Sequence, residues 1–514
     1  MFARVFSGGL VGVDAYCIEV EVDAHGGIGQ ISLVGLPDVA IRESQERVRS
    51  AIKACSFLLP PGKKWVVNLA PADTRKEGPS FDLPIAVGIL ATEGYVPKTH
   101  LSNFWLVGEL SLDGSVRPVS GVLPIAISCR AGGTKNIVVP DANADEAAMV
   151  EGLRVYAVSH LKQVCAILAN PDHGSVFDGD ARGVFRRAQE SVRFELDYAD
   201  VKGQGCAKRA LEIAAAGRHN ILMVGPPGSG KSMLAQRLPG IMPPLEFNEA
   251  LELTKLYSVA GLLPGKSMII SMRPFRNPHH SASAVGLVGG GAFPRPGEIS
   301  LSHLGVLFLD ELTEFPRTHI DCLRQPLETG NVTISRAHQT LTFPASFLLV
   351  AACNPCPCGY RGDPLRHCVC TPGQAERYWG RLSGPFLDRV DLHVEVGRLQ
   401  ECELAGTKVG ERSELVRLRV LRAVERQCSR FPDQRFVYNG QLNHRQVVKY
   451  CSIDEKASAI LAKAVHQLGM SARAYDRVLR IARTIADLAD EDEISAGHIA
   501  EAVRYRTMLR PVCV

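Results

Sequence analysis

Residues 225 to 232 read Gly225-Pro226-Pro227-Gly228-Ser229-Gly230-Lys231-Ser232 and follow four apolar residues, Ile221 to Val224. The spacing is that of the phosphate loop G-x-x-x-x-G-K-[ST]. A strand feeding such a loop turns backbone N–H groups inward, and the helix after it aims its positive end at the same point. The chemistry is the cradling of ATP, with Lys231 reaching the β- and γ-phosphates and the Ser232 hydroxyl taking one Mg2+ position. A second apolar run, Val306 to Leu309, ends in Asp310-Glu311, where ligands gather at the C-terminal edge of a buried parallel sheet. There Asp310 would hold Mg2+ through water and Glu311 would polarise the attacking water. Asp310 alone would also suit the cap of a following helix; the adjacent pair points to hydrolysis.

A different chemistry is concentrated at residues 353 to 370, CNPCPCGYRGDPLRHCVC, directly after the apolar FLLVAA. Cys356-x-Cys358 and Cys368-x-Cys370 form a symmetric set of thiols, the donor set of a closed tetrahedral Zn2+ site that carries folding energy. The C-x-C spacing is tighter than the usual one. His367 is an alternative to one sulfur, and reduced thiols in a loop are the other reading. Cys353 belongs with the strand end. Just upstream, NVTISRAHQTLTFPA alternates like a hairpin with Arg336 and His338 near its tip. A cationic tip can grip nucleic-acid phosphates without reading bases, and a solvated hairpin fits the same residues. Arg417, Arg419, Arg422 and Arg426 give the third block arginine-rich helical faces, a mild pointer to nucleic acid or an ordinary solvated surface.

The elements that must position these groups form three blocks of an α/β chain. The 514 residues are 46% hydrophobic and 22% charged, with a net charge of +4. Large cores are therefore affordable, and the charge by itself does not declare a nucleic-acid partner. No apolar run reaches the length of a membrane span. The first residues, MFARVFSGGLVGVDAYCIEVEVDAHG, bring acidic residues where a signal peptide needs an apolar core. The expectation is a cytoplasmic protein whose 15 cysteines are mostly buried and reduced. Residues 1–172 alternate short strands with helices: Ile18, Val20 and Val22 have strand period, and Val48, Ile52 and Cys55 have helical spacing. A polar linker spans 173–194, residues 195–400 hold the nucleotide chemistry, and 401–514 are helical in pattern.

Phosphate loop, Asp-Glu strand, an apolar strand ending in Asn354, then Arg389 in FLDRVDLHVEV: in this order the chain resembles the AAA+ ATPases. RPFRNPHHSASAVGLVGGGAFPRPGEISLSHLGVLFLDELTEF is similar to their magnesium-chelatase branch. With the first block and SARAYDRVLRIARTIADL, essentially the whole chain resembles the ComM/YifB family. The resemblance implies an N-terminal α+β Lon-protease-like (S5-like) domain, a P-loop AAA+ domain and a C-terminal helical lid. It implies that Asn354 is sensor 1, orienting water beside the γ-phosphate. Arg389 would be an arginine finger serving a neighbouring subunit, and Arg473 sensor 2, with Arg477 as the alternative. DVKGQ, 200 to 204, resembles the segment that packs on adenine, and GLVGGGAFPRPGE the helix-2 insertion. In the Lon-like block Ser80 stands where the nucleophile would be, but the lysine position is Leu123, and a leucine cannot take a proton. Lys135 and Lys76 lie outside that position, so the domain is expected not to be proteolytic. The resemblance further implies a homo-oligomer, a hexameric ring, acting on single-stranded or branched DNA as a motor for branch migration in homologous recombination and natural transformation. A metal-insertion chaperone or a protein unfoldase is the competing reading.

Overall fold

The structure, a computed structural model, describes residues 1–27, 29–36, 38–72, 76, 78–263, 269–291, 294–335, 340–399, 410–431 and 437–507. They fall into two compact units, Met1–Ser191 with Glu246–Ser271, and Val192–Leu245 with Met272–Val514. Among the described residues no helix is long and apolar enough to cross a membrane.

The first unit is built on a seven-stranded sheet. Its first two strands, Phe2–Val11 and Asp14–Gly26, pair antiparallel from Phe2↔Asp23 to Val11↔Asp14. The alternation of Ile18, Val20 and Val22 does what its period requires: all three are buried, while Glu19 and Glu21 face Arg4 at 3.2 and 3.4 Å. Across the sheet the order is Gln30–Val34, Lys63–Ala70, Asp14–Gly26, Phe2–Val11, Phe104–Leu106, Asn136–Pro140 and Arg154–Val158. Helix Val39–Ala54 starts at Asp38, whose carboxylate accepts from the Ile41 N–H at 2.8 Å. Its Val48 and Ile52, with the following Cys55, are buried as the helical spacing predicts. Arg47 of this helix forks onto the fully buried Asp82 at 2.7 and 3.1 Å. Both carboxylate oxygens are thereby satisfied, which is what makes a buried charge tolerable.

Two segments read differently in the sequence belong to this unit. The expected linker contains helix Ala181–Ser191, whose Phe185 packs edge-on against Phe247 at 5.7 Å while Arg182 lies 5.0 Å over the same ring. Helix Phe247–Ala260, within the expected nucleotide-binding block, packs on helix Val122–Ala131. The Ser258 hydroxyl donates to the buried Glu146 carboxylate, which also accepts from the Leu123 N–H at 2.8 Å and the Asn143 amide at 3.0 Å. Local periodicity could announce both helices; their packing partners are set by long-range contacts.

The second unit carries a five-stranded, all-parallel sheet in the order Phe275–Arg276, Val306–Leu309, Leu348–Cys353, Ile221–Val224 and Leu392–Glu395. Short apolar runs of this kind are the mark of strands covered on both faces, and Val306 to Leu309 and Leu348 to Cys353 are all buried. Asn331–Ser335 and Thr340–Pro344 form an antiparallel hairpin, Ser335 pairing with Thr340. Arg336 and His338, expected at its tip, lie outside the described residues. The glycine-rich insertion forms a second small ladder, Gly289–Gly290 against Arg295–Pro296. The C-terminal segment is helical, with Ser413–Ser429, His444–Tyr450, Glu455–Leu468, Ala472–Leu488 and Ala496–Thr507.

The arginine-rich face of helix Ser413–Ser429 is largely engaged within the fold. Arg419 reaches Glu212 at 2.6 Å and Arg426 reaches Asp490 at 2.7 Å. Arg417 lies 5.6 Å over the Phe194 ring. Three of the four arginines therefore tie this helix to its own unit, and Arg422 is exposed. A helical face rich in one charge is silent about acidic partners brought in from elsewhere in the chain.

Candidate active site

The order of the parallel strands creates the site. Leu348–Cys353 sits between the phosphate-loop strand and the Asp-Glu strand, pairing Val224 with Cys353 on one side and Leu309 with Ala351 on the other. The residues that follow, Gly225, Asp310-Glu311 and Asn354, therefore leave the sheet side by side at one edge. Gly228 and Gly230 take positive φ, +78° and +90°, a region costly for side-chain-bearing residues, and Gly230 caps the helix Lys231–Gln236. From outside the sheet, Gln204 donates to the carbonyls of Ser229 at 3.2 Å and Gly397 at 2.7 Å.

Lys231 is nearly buried, 8% exposed. Its ammonium donates to the carbonyls of Gly225 and Pro226 at 2.7 and 2.9 Å and to the Asn354 amide oxygen at 3.4 Å. Burial pulls its pKa below the ordinary lysine range, with Asp310 and Glu311 opposing. An ammonium held on neutral oxygens in a half-dry loop is a strong attractor for phosphate. The Ser232 hydroxyl donates to Asp310 at 2.6 Å, so the two oxygens that suit a hard divalent cation already meet. Asp310 also accepts from the Glu311 N–H at 2.9 Å. Glu311 takes a left-handed backbone, φ +51°, and its carboxylate is exposed.

His280 is a residue the motif spacing left unassigned. Its Nδ1 lies 3.4 Å from Glu311, and its ring stands 4.1 Å from His279. Within the sequence only the run NPHH, placed directly after the short strand Phe275–Arg276, hinted at it.

The arginines are placed differently. Arg389 precedes strand Leu392–Glu395, which runs parallel to Ile221–Val224 with Leu392 opposite Ile221. It therefore stands at the entry end of the sheet while the phosphate loop is at the exit end, with roughly 13 Å of strand between them at about 3.3 Å per residue. Arg389 is ion-paired with Glu328. Arg477 is at the same entry end, 3.4 Å from Asp391, and Arg473, one turn earlier on helix Ala472–Leu488, is exposed. Burial opposes the Asp391 carboxylate, but the His219 ring 3.6 Å away and the charge of Arg477 hold it below the usual range. Within one chain, then, Lys231, Ser232, Asp310, Glu311 and Asn354 converge; Arg389, Arg473 and Arg477 do not join them.

Cys356, Cys358, Cys368 and Cys370 come together, all four sulfurs within 4.8 Å of one another. Burial works against a Cys358 thiolate, but N–H groups of Tyr360 and Val369 and the neighbouring thiols bring its pKa down to about 6. In the first unit Ser80 is half-buried in the turn Pro79–Phe81, and Leu123 is fully buried. Lys76 is buried with its ammonium on the Pro71 carbonyl, and Lys135 is exposed.

A parallel sheet with the strand Leu348–Cys353 inserted beside the phosphate-loop strand, followed by a helical C-terminal segment, is the architecture of a magnesium-chelatase-type, AAA+-like domain. Residues 197–404 match the family described as magnesium chelatase, subunit ChlI; residues 20–143 and 410–506 match the families of subunit ChlI of Mg-chelatase and its C-terminal part. The chain is 45% identical to Competence protein ComM of Haemophilus influenzae, covering 99% of this chain and 98% of that one. It is 43% identical to the YifB protein of Escherichia coli, covering 97% and 96%. A shorter match, 24% identical over 40% of this chain and 44% of the relative, is to the chloroplastic magnesium-chelatase subunit ChlI of Glycine max. The chain belongs to the ComM/YifB family of magnesium-chelatase-like ATPases.

Proposed function

We propose that this chain is an ATP-driven DNA motor, a hexameric AAA+ helicase that promotes branch migration in homologous recombination and natural transformation. The observation that carries the reading is the split site: phosphate-loop, Mg2+ and water-activating groups at one sheet edge, and Arg389 at the other. In this reading the site is completed by the arginine of a neighbouring copy, the requirement of a ring. Lys231 binds the β- and γ-phosphates, and Ser232 and Asp310 hold Mg2+. Glu311 polarises the attacking water, and Asn354 orients it. Arg389 enters the next subunit's site, and Arg473, with Arg477 as the alternative, serves as sensor 2. The likeness to a protein named for competence supports DNA as the substrate, and the hairpin Asn331–Pro344 supplies an element suited to a pore.

The test is ATP-dependent resolution of a mobile four-way DNA junction by the full-length protein, with Lys231→Ala as the blank. Resolution by the wild type and not by the blank is expected. Rings that hydrolyse ATP but neither bind DNA nor move the junction would instead support a metal-insertion or protein-remodelling ATPase, the reading favoured by the magnesium-chelatase match.

The first unit is proposed to be a Lon-protease-like domain that no longer cleaves peptides and serves binding or ring assembly. Support comes from Leu123, a buried aliphatic side chain at the position to which the resemblance assigns the base, and from Lys76, whose ammonium is taken up by backbone. Peptide hydrolysis by the purified protein is expected at background level; hydrolysis abolished by Ser80→Ala would overturn the assignment.

A further inference from the structure

We infer that Cys356, Cys358, Cys368 and Cys370 hold a structural Zn2+, and that this zinc clasp braces the ATP site by positioning Asn354 and the phosphate loop. The sulfurs of Cys356, Cys358 and Cys368 are 3.4, 3.6 and 3.5 Å apart pairwise. Zn–S bonds of about 2.3 Å in a tetrahedron give sulfur–sulfur edges of about 3.8 Å, so the thiols already stand at nearly the spacing the ion demands. Cys370 closes the set, its sulfur accepting from the Cys358 N–H at 3.3 Å, the kind of outer-shell bond that orients a metal ligand.

Four connections tie this knuckle to the ATP site. Only Pro355 separates Cys356 from Asn354. The Pro355 carbonyl accepts from Trp379 at 3.0 Å, on helix Pro372–Trp379, which begins directly after Cys370 and Thr371. Gly359, one residue past Cys358 at φ +85°, lies against the phosphate loop itself. A Cβ there would stand 2.6 Å from Pro227 Cδ and 3.9 Å from Asn354 Cγ. On the far side Asp363 of the knuckle pairs with Arg398 at 2.8 Å, next to Gly397, whose carbonyl receives the same Gln204 that holds Ser229. Without the ion, only the intervening backbone and weak contacts such as the Cys358 N–H to Cys370 bond hold the two C-x-C arms together. The backbone turn that presses on Pro227 and fixes the Asn354 amide is then released.

This role rests on the ATPase reading, whereas the metal site does not. In full-length protein purified without chelator, elemental analysis is expected to find one zinc per chain. Cys368→Ser with Cys370→Ser should lose the zinc and lower kcat for ATP about 10–100-fold, the usual cost of misplacing a positioning shell, while KM for ATP moves much less. Cys368→His alone keeps four ligands and is expected to retain zinc and part of the activity that the double variant loses. Gly359→Ala should keep its zinc and still lose kcat, so the brace remains testable if the cysteine variants fail to fold by circular dichroism. Wild-type protein with zinc well below one per chain would overturn the metal site. Zinc-free protein, or Gly359→Ala, turning over ATP at the wild-type rate would overturn the brace. Wild-type turnover no higher than that of Lys231→Ala would instead bring down the ATPase reading and leave the zinc measurement standing.

Discussion

Replacing Glu311 by glutamine is expected to lower ATP turnover by about 10²–10⁴-fold, the contribution of a positioned general base, with ATP binding retained. The substitution keeps the shape and the left-handed backbone of position 311 and removes only the carboxylate's ability to draw a proton from water. Lys231, Ser232 and Asp310 are left untouched, and the Glu311 N–H bond to Asp310 involves backbone alone. Binding of a fluorescent ATP analogue and steady-state phosphate release separate the two quantities. His280 sits 3.4 Å from the Glu311 carboxylate and can hydrogen-bond the glutamine amide as well, so the side chain should hold its position. Turnover of Glu311→Gln at the wild-type rate would remove Glu311 from the mechanism.

A still larger loss is expected of Arg389→Ala, about 10³–10⁵-fold in kcat if the guanidinium meets transition-state charge in a neighbour's site. The sheet places Arg389 and the phosphate loop of one chain at opposite strand ends, which makes a sharp test possible. Arg389→Ala retains its phosphate loop but lacks the arginine; Lys231→Ala retains the arginine but not the loop. Mixing the two inactive proteins under assembling conditions should restore hydrolysis, because some interfaces then unite an intact loop with an intact arginine. Activity absent from the mixture, with assembly verified by sedimentation, would count against action in trans. In the single chain Arg389 is paired with Glu328, so assembly has to exchange that carboxylate for phosphate. Glu328 is about half exposed but the Arg389 side chain is only 13% exposed, so the guanidinium has to swing outward as the pair opens.

The contrast between these two groups shows where sequence reasoning reaches and where it stops. Lys231, Ser232, Asp310 and Glu311 were legible because each lies within a residue or two of an apolar strand, and a strand's end dictates where its next residues emerge. Asn354 could be placed once the strand before it was recognised. His280 and Gln204 were not legible in their contacts: they reach Glu311 and Ser229 across gaps in sequence that no local period encodes. The arginines of Ser413–Ser429 misled for the same reason. Glu212, Asp490 and Phe194, which engage three of them, come from other elements.

By itself the sequence determined the local chemistry: a loop shaped for phosphate, an acidic pair at a strand end, and two C-x-C arms. These depend on residue type and short spacing, which a chain carries with it before it folds. The tertiary structure alone decided which of them meet. Inserting Leu348–Cys353 between two strands distant in sequence sets Asn354 against Lys231, closes four thiols into one cluster and presses Gly359 onto Pro227. The same sheet sends Arg389 and Arg477 to the opposite edge. Helix Phe247–Ala260 was claimed by the first unit through the buried Glu146. Such choices follow from strand order and from which buried polar groups must find partners, and both are properties of the packed whole.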